Sequence, residues 1–245
     1  MNLLNTALLI NLLGFTLGIA LYALLIVMVF RHRRARKFAT VDYFLSATGV
    51  LGVLWNVGEL FAFVWRDFRH TEISPLLAAV SYSALGFLPS VVVHSALKDS
   101  DNARKNLLII SAYGLSLFAA ALHFQTALFG GAAPSNTALQ ISTYGSLALL
   151  AALLFFNYRQ TIERKAVWIS ALLIFTASAL HLSGETEEKS WLIELVAHQS
   201  SLPLALAILL QDYRFAFADL FLKRALSLIL LTGVMALGVA TVLDP

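Results

Sequence analysis

Apolar residues run along this chain in blocks about as long as a bilayer is thick. Polar residues fall between the blocks rather than alternating within them. Eight blocks stand out, at 6–30, 41–65, 75–97, 107–129, 138–158, 166–184, 191–211 and 225–243. About 20 mostly apolar residues, rising ~1.5 Å each, cross the hydrocarbon core as a helix, so every block is a candidate span. The blocks are apolar on all sides and lack the period-two alternation of a membrane barrel. Helices are then the means of satisfying the backbone in lipid. The expected fold is all-α: a polytopic integral membrane helix bundle of about eight transmembrane helices, forming a single transmembrane domain over residues 1–245.

Composition sharpens this reading. The chain is 59% hydrophobic and only 13% charged, where an ordinary soluble domain carries roughly 25% charged residues. Its mean hydropathy is +0.80. There is no cysteine, which rules out disulfides and thiolate metal ligands. Charge supplies the orientation. The segments 31–37, 98–105, 159–165 and 212–224 hold 5, 3, 3 and 3 Lys/Arg, or 14 of the 17 in the chain. Basic loops stay in the cytoplasm, so these four segments are expected inside and the N-terminus outside. The first block is followed, not preceded, by the basic run RHRRARK, the reverse of a cleaved signal peptide. Orientation accounts for that run, and no nucleic-acid partner is expected. Segment 212–224, DYRFAFADLFLKR, mixes polar and apolar residues as an amphipathic helix at the inner surface would. The block after it is long enough for an eighth crossing, which would return the C-terminus to the outside.

Ionisable residues inside spans are costly and usually face the bundle interior. Measured from the outer ends of their helices, Glu59, His123, His181 and His198 lie about 9, 10, 6 and 10 Å deep. They come from four different blocks and share the outer third of the bilayer. Glu194 precedes His198 by four residues and so shares its helix face. Three imidazoles and two carboxylates at one level form a candidate metal set, because imidazole with carboxylate suits Zn, Cu, Fe or Ni. Two histidines on facing helices would equally suit the axial positions of haem b. The expected cofactor is therefore haem b or a non-haem transition metal ion, set against a plain hydrogen-bonded polar cluster between helices. Arg66, Arg69 and His70, in the outer segment above Glu59, are candidates for holding propionates or another anion. Gly58 and Gly114 are candidates for the flat face of a haem. Trp55, Asn56 and Gln125 are placed around the same outer cavity. His94, one turn from Lys98, is expected to point to the inner interface, and Pro89 and Pro203 are expected to kink their helices.

At QDYRFAFADLFLKRALSLILL, residues 211–231, the chain resembles the membrane-embedded N-terminal sensory region, of seven or eight helices, found in bacterial sensor histidine kinases. The resemblance is specific over these twenty or so residues and generic elsewhere. It implies a signal-input module in the bacterial cytoplasmic membrane. Tyr213, Arg214, Asp219, Lys223 and Arg224 would lie in the segment that passes the signal to a cytoplasmic signalling domain or to a second copy of the chain. It assigns no ligand residue. The sequence lacks the phosphoacceptor-histidine helix and the glycine-rich nucleotide site of a complete kinase. It also lacks a P-loop, GxSxG and HExxH, so no catalytic motif decides whether the chain is an enzyme. No lysine sits in the middle of a span, which argues against a retinal Schiff base. The expected function is a membrane sensor module with a His/Glu ligand, metal or haem site in the outer leaflet. The alternative is a membrane cytochrome or metalloprotein subunit for electron transfer. A transporter would need a polar path through the midplane, and the polar residues concentrate at one depth instead. An assembly subunit would use its histidines only to hold helices together.

Overall fold

The computed structural model describes residues 3–35, 40–69, 73–98, 104–131, 134–156, 162–183 and 201–212, together with Lys223 and Ser227. These residues form α1 (Leu3–Ala35), α2 (Thr40–Arg69), α3 (Pro75–Leu97), α4 (Lys105–Leu128), α5 (Asn136–Phe156), α6 (Ile162–Ser183) and α7 (Ser201–Asp212), and no strand occurs among them. Helices α1 to α6 are each long and apolar enough to cross a membrane, as expected of an integral membrane protein. The seventh expected span is described only from Ser201 onward. The eighth lies outside the described residues apart from helical Ser227, whose hydroxyl donates to Lys223 O at 2.9 Å.

Large apolar side chains cover the outside of the bundle. Leu107, Ile110, Leu117, Phe118, Phe129, Tyr144, Phe155 and Leu180 are all exposed. Such a surface would aggregate in water, and it is what contact with lipid acyl chains requires. Several threonines inside the helices are satisfied locally. The hydroxyls of Thr16, Thr48, Thr143 and Thr176 each donate to the carbonyl four residues earlier, at 2.7 to 2.9 Å. This back-bonding lets a hydroxyl sit in a medium without water.

Helix α3 is central. It packs against α2, α4, α5, α6 and α7, while α1 packs mainly on α2. Most of α3 is enclosed, whereas more than half of each other spanning helix is open to the surroundings. Its sequence fits that place, with Ala78, Ala79, Ser81, Ser83, Ala84, Ser90, Ser95 and Ala96 among its buried residues. Small residues let backbones approach closely, which is the main source of helix association in lipid. Pro75 begins the helix, where its missing N–H costs nothing. Pro89, inside it, removes the bond to the carbonyl four residues earlier. Next to Pro89 a clasp joins α3 to α4. Ser90 Oγ donates to Ala112 O at 2.7 Å, Ser116 Oγ donates to Gly86 O at 2.7 Å, and the two hydroxyl oxygens are 2.6 Å apart. A double-mutant cycle with Ser90→Ala and Ser116→Ala, read by thermal unfolding in detergent, is expected to return a coupling of about 0.6 kcal/mol, the average for interhelical bonds in lipid, and no more than about 1.7 kcal/mol.

The α4–α5 turn is shaped by two caps. Gly130 takes φ 82°, a left-handed conformation that glycine adopts without strain. Gly131 N then donates to Thr126 O at 2.9 Å, closing the end of α4. Ser135 caps α5, with its hydroxyl accepting from Ala138 N at 3.4 Å. Neighbouring helices run antiparallel, as the Phe44–His94 and Arg104–Phe156 contacts show at one end of the bundle. The basic ends of α1, α3, α4 and α6 therefore gather at that same end.

Candidate functional site

The opposite half of the bundle holds the polar interior. Glu59, on α2, is buried (6% exposed), and His123, on α4, more so (1%). The helices that carry them are not packed neighbours. α3 stands between them, and its Tyr82 makes the link. The Tyr82 ring meets Trp55 edge-on, with centroids 5.1 Å apart, and lies 5.8 Å from His123. Trp55 is one turn below Glu59 on α2. An aromatic wall thus runs from beneath the carboxylate to the imidazole.

His123 has a specific bond. The backbone N–H of Ser135 donates to its Nδ1 at 3.1 Å. The ring ties the start of α5 to the last turns of α4 and satisfies an amide that no helix supplies with an acceptor. An Nδ1 that accepts leaves the proton of a neutral imidazole on Nε2. A metal at Nε2 requires the reverse, with Nδ1 protonated and donating. For a neutral ring, the Ser135 bond and metal ligation exclude each other, so His123 as placed here does not fit a metal or haem axial ligand.

The other candidate residues divide as follows. His181, on α6, is half-buried. α6 packs on α5 and α7 rather than on α4, so His181 is not brought beside His123. His198, Glu194 and His70 lie outside the described residues, as do Tyr213, Arg214, Asp219 and Arg224. Arg69 ends α2, and Arg66 and Lys223 are exposed. Among the described residues, no group of three or more His, Asp or Glu gathers as a metal set. Gln125 is exposed, although it lies two residues from His123. Gly114 is exposed on the outer surface of α4, and a Cβ there would meet nothing. Gly58 admits Ser81 instead, whose hydroxyl occupies the space a Cβ would take. His94 does not point freely into the interface. It lies between Phe44, edge-on at 4.7 Å, and Tyr113, whose Oη is 3.3 Å from its Nδ1.

Sequence reasoning missed a second polar group beside the wall. Tyr22 on α1, Asn56 on α2 and Ser201 on α7 are at most 1% exposed. The Tyr22 ring fills the space beside Gly52, and Asn56 Nδ2 donates to Gly52 O at 2.8 Å. Tyr22 Oη lies beside the Ser201 side chain, yet the two hydroxyls do not meet in bonding geometry. Tyr22 Oη, Asn56 Oδ1 and Ser201 Oγ are all shut off from the surroundings without a hydrogen-bond partner. Buried polar atoms are nearly always paired with protein or ordered water, and leaving one bare costs about 1–3 kcal/mol. Asn56 Oδ1 lies against Gly18 of α1 and Tyr22 Oη lies beside Ser201, so buried polar atoms from three helices meet where α1, α2 and α7 come together. The only sequence signal was Asn56, the one carboxamide in the middle of α2. Comparison with protein-family models, curated proteins and solved structures finds no match for this chain.

Proposed function

We propose that the chain is a membrane signal-input module whose stimulus is a small polar molecule bound among Tyr22, Asn56 and Ser201. The observation that carries this reading is the set of bare buried oxygens on α1, α2 and α7. The basic-loop rule orients the bundle with its N-terminus outside. Helix α7 matters because the chain runs from it into segment 212–224, the stretch that resembles the output end of sensor kinases. A ligand bonding to Ser201 and Tyr22 favours one seating of α7 against α1 and α2. It shifts the population towards that packing only by its difference in affinity for the two. Glu59, one turn from Asn56, gives the site a carboxylate for a ligand with a donor group.

Trp55 adjoins Asn56 in sequence, is fully buried and supplies the reporter. Purified protein titrated with amino acids, polyols and small amines is expected to change its tryptophan emission for one of these classes. The response should vanish in Trp55→Phe and weaken at least tenfold in Asn56→Leu, whose lost bonds are worth roughly 1.5 kcal/mol. Flat titrations across all three classes would overturn the reading. The visible spectrum of the same sample tests the alternative, a membrane cytochrome or metalloprotein. A Soret band that sharpens on reduction, or a stoichiometric transition metal, would move the function to His181, His198 and Glu194.

A further inference from the structure

One face of the central helix is not enclosed. Val80, Phe87 and His94 recur every seven residues along α3 and are half-exposed, with half-exposed Lys98 one turn further on. Residues at that spacing share a helix face. His94 touches Phe44 of α2 on one side and Tyr113 of α4 on the other, and α2 and α4 do not pack together. The face is therefore the floor of a furrow between those two helices, apolar along Val80 and Phe87 and polar at its basic end.

The His94–Tyr113 pair has a property independent of tautomer. If Tyr113 donates to Nδ1, the imidazole keeps its proton on Nε2. If Nδ1 donates to Tyr113, the phenol keeps its own proton. Either way the neutral pair has one donor proton more than its mutual bond uses. That donor sits about 6 Å, four residues, above Lys98, at the depth where acyl chains join a headgroup. Arg104 and Lys105 begin α4 at the same end of the bundle.

We propose that this furrow holds one anionic glycerophospholipid of the inner leaflet. Its phosphate is held by Lys98 and the basic start of α4. An ester carbonyl accepts the proton left over by His94 and Tyr113. One acyl chain lies along Phe87 and Val80. Charge complementarity selects the occupant, because a zwitterionic lipid fits the apolar floor equally well but gains less from the cations. The inference does not depend on the ligand site proposed among Tyr22, Asn56 and Ser201.

Native mass spectrometry of the full chain tests it. Delipidated protein is offered equal amounts of dioleoyl phosphatidylglycerol and dioleoyl phosphatidylcholine in detergent micelles. One phosphatidylglycerol is expected to bind at least fivefold more tightly than phosphatidylcholine, corresponding to about 1 kcal/mol for a cation near an anionic headgroup. Lys98→Gln should remove most of that preference and Lys98→Arg should retain it. Tyr113→Phe combined with His94→Leu should weaken both lipids. Circular dichroism of each variant separates loss of binding from loss of fold. Should the double variant unfold, the Gln and Arg exchange at position 98 still decides. Equal binding of the two lipids, or a preference unchanged by Lys98→Gln, overturns the proposal. So does displacement of the bound lipid by millimolar inorganic phosphate, which would show a simple anion site.

Discussion

Replacing Gly52 by leucine is expected to undock α1 from α2 and to lower stability by about 3 kcal/mol, the upper part of the range for overpacking a filled interior. The cause is local. A Cβ at Gly52 would clash with the ring of Tyr22, and that residue is 1% exposed and enclosed by the core. Two further glycines repeat the arrangement along the same interface. A Cβ at Gly18 would meet Asn56, and one at Gly49 would meet Ile26. The phenol cannot yield without losing its place beside Ser201, so the substitution should also abolish any response of the Tyr22–Asn56–Ser201 group. The control is Gly114→Leu. Its Cβ would meet nothing and it faces outward, so the change is expected to be neutral or slightly stabilising through helix propensity. Thermal unfolding in one detergent measures both variants, and equal losses at positions 52 and 114 would refute the assigned α1–α2 packing.

His123→Ala is expected to cost about 4 kcal/mol, combining a cavity with a buried Ser135 amide left without its acceptor. Hydrogen exchange locates the damage. The first turn of α5 should lose protection before the rest of the bundle, because Ser135 both caps that helix and binds the imidazole. His123→Asn keeps an acceptor of shorter reach and should recover part of the loss. A ligand role for His123 predicts a different result, with loss of a bound metal and ordinary protection at Ser135. If exchange at the start of α5 is unchanged in His123→Ala, the anchoring role assigned to the ring is wrong.

Helix extent along the chain was legible in the sequence, and direction around each helix was not. Length and hydropathy located six helices to within a few residues, because a span must be apolar over its whole length. The same uniformity hid which side of a helix faces inward. His123 and Gln125 lie at nearly one depth, and depth alone set them around one cavity. Two residues turn a helix by about 200°, and the imidazole is buried while the carboxamide faces out. Depth likewise placed His181 at the level of His123, but the order of helices around α3 keeps α4 and α6 apart. Glycines were ambiguous for a related reason. Gly58 was read as room for a flat cofactor, and the room is taken by Ser81. The Tyr22–Ser201 neighbourhood had no signature at all. Single hydroxyls are common in apolar helices, and their meaning depends on a partner nearly two hundred residues away.

The central helix is the third to be made, and α4 to α7, which help to enclose it, all follow it in the chain. During synthesis α3 must therefore wait in the bilayer with its future interior turned towards lipid. Its serines are graded for that interval. Ser81 carries its own acceptor, Leu77 O at 2.8 Å, and needs no other helix. Ser90 finds its acceptor on α4, the next segment to leave the ribosome. Insertion and assembly can then proceed in chain order for these two serines, with Ser81 satisfied at once and Ser90 one helix later. Moving the sequence of α3 ahead of α1 would break that order and strand Ser90 in hydrocarbon for three further crossings.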